Sequence, residues 1–395
     1  MKRFVAGLAL SGVLLAPGAV HAQDIKIALI YSKTGPLEAY AKQTETGLML
    51  GLEYLTGGSM MLNGHKIVVL PKDDQGKPDL AKSLLEQAYA DDKVDLAIGA
   101  TSSGSTLAML PVAEDAGKVL IVEPAVADSI TGEKWNRFIF RTARNSTQDA
   151  LAGAVALGKG EVSIATLAQD YAFGRDGVAA LKGALAATGS KAKVVFEEYA
   201  PMATTDFTAS AQRLFDALKD RPGRKIITIL WAGPHPLAKI ADLKPERYGI
   251  ELAPGGNILP VMMQFKAFPG IEGTIYYYYG FPKNPMNDWL VAEHEKRFNA
   301  PPDFFTAGGV AAASAAVTAI KKAGGTDSEK LIAAMEGLEF DTPKGKMTFR
   351  KQDHQAMQSM YQFRIKANGK NPYDLLDLVR EIPASELPVP IRNKR

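Results

Sequence analysis

The sequence predicts an α/β protein built as two lobes, each a parallel sheet flanked by helices. Short runs that are apolar almost throughout alternate with helix-spaced stretches, the rhythm of βαβ units. That alternation runs twice, from Ile25 to Asp128 and again from Ser163 to Tyr279. A chain of 395 residues is also too long for one compact core. Strands with little polar alternation are those covered by helices on both faces, as a parallel sheet requires.

Residues 1–22 stand apart. Lys2 and Arg3 precede the apolar stretch Phe4–Leu15, and Val20-His21-Ala22 ends the segment, the pattern of a secretory signal cleaved after Ala22. The apolar stretch is too short to cross a bilayer, and no later segment is expected to cross one. The chain has no cysteine, which removes disulfides, thiol nucleophiles, thiolate metal sites and a cysteine-linked lipid anchor together. The formal net charge of +3 falls by two once Lys2 and Arg3 are lost, and so nearly neutral a chain is not expected to bind nucleic acid. The expected product is a free, monomeric protein of the periplasm.

In order, Ile25–Tyr31 reads as the first strand, Tyr40–Leu55 as a helix, and Leu62–Leu70 as an Asn-Gly turn leading into a second strand. Pro78 opens the next helix, with Leu80, Leu84, Leu85 and Ala88 on one face. Val94–Ile98 is the third strand. Its exit, Gly99-Ala100-Thr101-Ser102-Ser103-Gly104-Ser105-Thr106, combines turn-forming glycines with serines able to cap the helix at Leu107–Ala113. A helix N-terminus at the carboxyl end of a parallel strand suits a small anion such as a carboxylate. An ordinary serine-capped turn reads the same way, so the stretch alone does not decide. Val119–Val122 is the fourth strand. The ligand-facing loops then begin at Ser32, Asp73, Thr101 and Pro124.

In the second series, Ser163–Leu167, Lys193–Phe196, Lys225–Trp231, Ile258–Met263 and Thr274–Tyr279 read as strands. Helices are expected at Arg175–Ala187, Phe207–Leu218, Asn287–Phe298 and Thr306–Ala323, with late strands at Lys346–Phe349 and Gln358–Ile365.

Catalytic signatures fail. There is no phosphate-binding loop, no nucleophile elbow and no paired-histidine metal motif, and His65, His235, His294 and His354 are scattered. No metal or cofactor is expected. Asp73-Asp74 and Asp91-Asp92 read as solvated turn acids. Tyr276–Tyr279 reads as a strand with alternate rings on one face, two packing and two facing solvent or a cleft. An exported two-lobed chain without a catalytic set reads as a binding protein rather than an enzyme.

Four patterns carry a resemblance over nearly the whole mature chain: Ser32-Lys33-Thr34-Gly35-Pro36 with Tyr40, Ile98-Gly99 with the serine run, Phe140-Arg141-Thr142, and Asp170-Tyr171-Ala172-Phe173-Gly174. Their order resembles the leucine/isoleucine/valine branch of the type I periplasmic solute-binding proteins that feed ABC importers. The resemblance implies two Rossmann-like lobes joined by a three-segment hinge. It puts 23–142 and 282–350 in the first lobe, 143–281 and 351–385 in the second, and 386–395 in a tail. It also implies hinge closure on a small ligand and delivery to a membrane permease.

Carried over by position, the family's ligand residues become Tyr40, Thr101, Ser102, Ser103, Ala125, Val126, Ala127, Tyr171, Phe173, His235 and Met263. Amino-acid binders of this family have a hydroxyl residue where Ala127 stands, and an acid after the strand read here as Ile258–Met263. That loop runs Gln264-Phe265-Lys266, with no acid before Glu272. A buried ammonium without a counter-charge is costly, so a small organic acid, aromatic in character, is the expected ligand. The alternative is a branched-chain or other amino acid, with Glu123 or Asp170 as counter-charge. A ligand-sensing partner of a membrane receptor is a further alternative, and an exported hydrolase using Ser102 or Ser103 a remote one.

Overall fold

The computed structural model describes residues 23–157, 160–253 and 255–394. The expected signal segment lies outside the described residues. Two parallel sheets, each flanked by helices, form the frame. The first contains β1 (Ile25–Tyr31), β2 (Met61–Leu62), β3 (His65–Asp73), β4 (Leu96–Gly99), β5 (Leu120–Val122) and β6 (Ile139–Arg141), in the order β2-β3-β1-β4-β5-β6. All its pairings are parallel except the β2–β3 hairpin. There Asn63 and Gly64 have φ of 51° and 83°, the left-handed pair that a two-residue hairpin turn needs. Helices α1 (Glu38–Leu55), α2 (Pro78–Ala90) and α3 (Ser103–Ala116) connect these strands.

The second sheet follows α4 (Ser146–Leu157). It comprises β7 (Val162–Gln169), β8 (Lys193–Ala200), β9 (Arg224–Leu230) and β10 (Ile250–Leu252), all parallel, in the order β10-β9-β7-β8. Between them run α5 (Ala172–Ala187), α6 (Thr208–Leu218) and the short α7 (Leu237–Asp242). Residues 258–263 are not the expected strand. They form α8 (Leu259–Met262) and the start of a 3-10 turn, because Pro260 sits in the first helical turn, where its missing N–H has no cost. The strand in this place is β10, which the sequence reading missed.

β11 (Glu272–Ile275) stops before the tyrosines. Tyr276, Tyr277 and Tyr278 are all buried, so the four rings do not alternate between faces. They lie in the segment that carries the chain back to the first lobe, and packing closes on both sides of it. There α9 (Pro285–Phe298), α10 (Phe304–Ala323) and α11 (Ser328–Met335) are followed by the small sheet β12 (Glu339–Thr342), β13 (Gly345–Phe349) and β14 (Ala356–Met357). Finally β15 (Met360–Ile365) and β16 (Leu376–Ile382) join β11 as an antiparallel sheet. By length and composition α10 could cross a membrane, contrary to expectation, but it is almost wholly buried in the fold, packed on α1.

The chain therefore crosses between lobes three times, near residues 142–145, 276–284 and 358–359. Polar side chains stitch these crossings together. Gln358 donates to Thr142 O at 3.1 Å, Lys344 donates to Gln358 Oε1 at 2.9 Å, and Gln355 donates to Ala143 O at 2.8 Å. Arg141 is fully buried and donates to Gln355 Oε1 and to Ala127 O, each at 2.6 Å.

Candidate ligand-binding site

β4 ends at Gly99, with φ of +148°, and a Cβ there would lie 2.2 Å from Ile30 O. Only glycine fits, and the chain turns directly into α3. Ser102 Oγ caps that helix by accepting from Gly104 N at 3.2 Å. Thr101 Oγ1 accepts from Ser32 N at 3.1 Å, and Ser103 Oγ accepts from Ala127 N at 3.2 Å. The exit loops after β1, β4 and β5 are thus tied together. Ser103 keeps its own hydroxyl hydrogen to donate, at the positive end of α3.

Across the cleft, Tyr171 and Phe173 stand at the start of α5 with ring centroids 6.0 Å apart. His235 follows β9. Its Nδ1 accepts from Leu237 N at 3.2 Å, so Nε2 carries the hydrogen. Burial pushes its pKa down to about 4, so near neutral pH it is an uncharged donor. Tyr40 reaches over from α1, its ring 4.6 Å from that of Phe305. Its hydroxyl accepts from Gly233 N at 3.1 Å and donates to Asn257 Oδ1 at 3.2 Å.

A cavity of about 780 Å³ lies between these walls, within the range of small-molecule sites. Tyr40, Thr101, Ser103, Ala125, Val126, Tyr171, Phe173 and His235 line it; Ser102, Ala127 and Met263 do not. The hydroxyl of Ser102 is used by the helix cap and by Tyr171. Ala127 is held behind the wall by Ser103 and Arg141. Met263 packs against the core, because its segment is helical. The exit that faces the cleft follows β10 instead and supplies Asn257.

One of the four turn acids differs from expectation. Asp74 is buried, accepting from Ser32 Oγ at 2.7 Å and from Gly76 N at 2.8 Å. Neither acid named as a counter-charge lines the cavity. Glu123 is buried behind it and accepts from Thr142 Oγ1 at 2.8 Å; Asp170 pairs with Arg175 at 2.6 Å in the open.

Sequence reasoning missed Arg144, Asp149, Asn257 and Phe305. The helix bearing Asp149 did carry a signal. Asn145 Oδ1 accepts from Gln148 N, and Gln148 Oε1 accepts from Asn145 N, at 2.8 and 2.9 Å. This is a reciprocal cap of the Asn-x-x-Gln kind, hidden because α4 is otherwise rich in Ala and Gly. Arg144 Nε lies 3.2 Å from Asp149, and its guanidinium lies over the Phe304 ring at 4.6 Å. Burial pushes the Asp149 carboxyl up, and Arg144 opposes that. The cavity's other two acids are paired in the same way: Glu251 with Arg224 at 2.6 Å and Glu272 with Arg364 at 2.5 Å. Among the described residues, no group of three or more His, Asp or Glu is placed to hold a metal ion.

Residues 24–370 match the family described as periplasmic binding protein. The chain belongs to that family. This binding protein is 25% identical, over 88% of its length and 91% of the relative's, to the leucine-, isoleucine-, valine-, threonine- and alanine-binding protein of Pseudomonas aeruginosa. It is 66% identical to the crystal structure of an ABC-type branched-chain amino acid transporter protein from Rhodopseudomonas palustris, over 94% of this chain and 100% of that one, with a TM-score of 0.82. It is 28% identical to an ABC transporter solute-binding protein from Rhodopseudomonas palustris BisB5 in complex with 3,4-dihydroxybenzoic acid, over 92% and 98%, with a TM-score of 0.78.

Proposed function

We propose that this periplasmic binding protein captures a small organic acid, aromatic in character, between its lobes and delivers it to an ABC permease. One observation carries the ligand class. Each of the three acids lining the cavity is paired with an arginine that lines it too. A bound ammonium would therefore find no free counter-charge. A carboxylate meets the Ser103 hydroxyl, the α3 N-terminus and the Arg144 guanidinium. An aromatic ring meets Tyr40, Phe173 and Phe305, and His235 offers Nε2–H to a distal hydroxyl or carbonyl. The 3,4-dihydroxybenzoate of the 28% identical structure agrees with this chemistry. Under this reading the protein performs no covalent step, is exported with cleavage after Ala22, and works as a monomer. The lobes divide as 23–142 with 282–357, and 143–281 with 358–385; the third boundary moves on from 350 because β14 pairs with β13 in the first lobe.

The second reading is an α-amino acid, as the branched-chain names of the relatives suggest. It rests on Asp149, which is the only acid near the serine end of the cleft among the described lining residues and would have to exchange Arg144 for an ammonium. A thermal-shift screen separates the two. Benzoate, 4-hydroxybenzoate and 3,4-dihydroxybenzoate should raise Tm, since binding to the native state stabilises it by mass action. Stabilisation by leucine or valine with none by the aromatic acids would refute the proposal.

A further inference from the structure

The cavity is larger than a single-ring acid requires, and the surplus has a definite place. From the cleft it continues into the second lobe as an arm between α4 and the face of β9, out to the Arg224–Glu251 and Arg364–Glu272 pairs. Three independent features hold the arm open. Gly153 on α4 faces it with no atom within 4 Å of where a Cβ would stand, and its lining neighbours are Ala150 and Ala156. Thr228 and Leu230, on the same face of β9, are only half-buried, although β9 is paired on both sides. Gly255, past the end of β10, makes an isolated bridge to Thr274 of β11, and among the described residues β10 and β11 belong to separate sheets.

We propose that this arm is a subsite for the apolar tail of an elongated monocarboxylic acid, an aryl-alkanoate or a medium-chain fatty acid. The inference rests on the reading of the cleft as an acid site. With the carboxylate at Ser103 and Arg144, a tail directed away from α3 runs past Ala150, Gly153 and Thr228. The α4 segment from Ala150 to Leu157 is about 10 Å long, so the arm takes a chain and not merely a substituent. Its walls are apolar except for Thr228 and Thr274, and the two ion pairs at the far end are partly exposed to solvent. A tail therefore gains burial along its length and meets no free charge.

The experiment is isothermal titration of the mature protein with benzoate, 3-phenylpropanoate, hexanoate, octanoate and decanoate. It is repeated on Gly153→Leu, on Gly153→Ala as the mild control, and on Thr228→Phe at the opposite wall. Affinity should climb by about tenfold or more from hexanoate to decanoate, as the burial of added methylenes requires. Gly153→Leu and Thr228→Phe should each lose that climb while binding benzoate as the unchanged protein does, which also reports that they are folded. Benzoate binding with a flat chain-length series overturns the arm and leaves the cleft reading intact. So does decanoate binding that neither blocking variant weakens. If no acid in the series binds, benzoate included, both readings fall.

Discussion

Tyr40 and Gly233 stand on opposite lobes and share a hydrogen bond, from Gly233 N to the Tyr40 hydroxyl at 3.1 Å. The same hydroxyl holds Asn257, also of the second lobe. Near the first hinge crossing, Asp176 of α5 accepts from both the backbone N–H and the hydroxyl of Ser129, at 2.9 and 2.8 Å. A Cβ on Gly233 would lie 2.7 Å from Pro36 O, so the lobes are in direct contact there. Any hinge opening of the cleft, as the proposed function requires, must break these bonds.

Tyr40→Phe keeps the ring against Phe305 and removes the hydroxyl. Gly233 N and Asn257 Oδ1 then lose their partner across the cleft. Each such bond contributes about 1 kcal/mol, so losing both should lower ligand affinity roughly thirtyfold. Titration calorimetry checks the affinity, and solution scattering of the ligand-free variant should register a more open particle. Unchanged affinity would show that Tyr40 does not hold the cleft shut.

Asp149→Asn tests the ligand's charge. In an acid site, Asp149 competes with the ligand for Arg144. Removing its charge should strengthen binding of an aromatic acid by about fivefold, the scale of one partly exposed ion pair. If the site instead takes an ammonium at Asp149, the same substitution weakens binding, so the sign of the change decides.

Stability should depend on pH in two opposed ways. Burial raises the Glu123 carboxyl to about 7, with Thr142 and nearby cations opposing. The folded state holds this proton more tightly than the unfolded chain does. Its stabilising effect is complete below the ordinary carboxyl value and is lost as pH rises toward 7. The shift corresponds to about 3 kcal/mol. Glu123→Gln should flatten this decline, visible in Tm against pH from about 4.5 to 7. His235 acts in the other direction. Its pKa is lowered to about 4 by burial, so its contribution is present above the ordinary imidazole value and lost as pH falls from about 6.5 toward 4. His235→Gln should remove that acid-side loss.

Glycines set how closely α1 and α10 pack. A Cβ on Gly47 would lie 1.9 Å from Thr306 O, and one on Gly309 2.2 Å from Thr44 O. Backbone meets backbone here, so no side chain can rotate away. Gly47→Ala and Gly309→Ala should each destabilise by about 1–3 kcal/mol or more, measured by chemical denaturation, although alanine is the better helix former. Gly153→Ala, which faces open space, should be neutral or stabilising.

Much of the fold was legible in the sequence. β1, α1, β7, β9, α6 and α10 lie within a few residues of where their apolar spacing placed them, because that spacing reports a strand or helix locally. The errors fall where local pattern and tertiary role part. Residues 258–263 are apolar and of strand length, yet Pro260 lets a helix begin there. Tyr276–Tyr279 has strand composition but belongs to a crossing packed on both sides. α4 was missed because Ala and Gly give a weak periodic signal.

For the site, strand-exit position pointed to the loops at Thr101, Asp170–Gly174 and Ala232–Pro236, while Phe173 and His235 were named within them by the family resemblance. Sequence by itself determined the two-lobed frame, the absence of thiol chemistry and a serine-capped turn after β4, with Ser102, Ser103 and Ser105 all able to cap; the structure selects Ser102. Only the tertiary structure decided which side chains share the cavity. The Arg144–Asp149 pair depends on how α4 leaves the hinge. Arg364 meets Glu272 only through the pairing of β15 with β11. The arm beside Gly153 exists only because α4 and β9 stand apart. Those are contacts between segments distant in the chain, and no local periodicity encodes their charge balance or the space they leave.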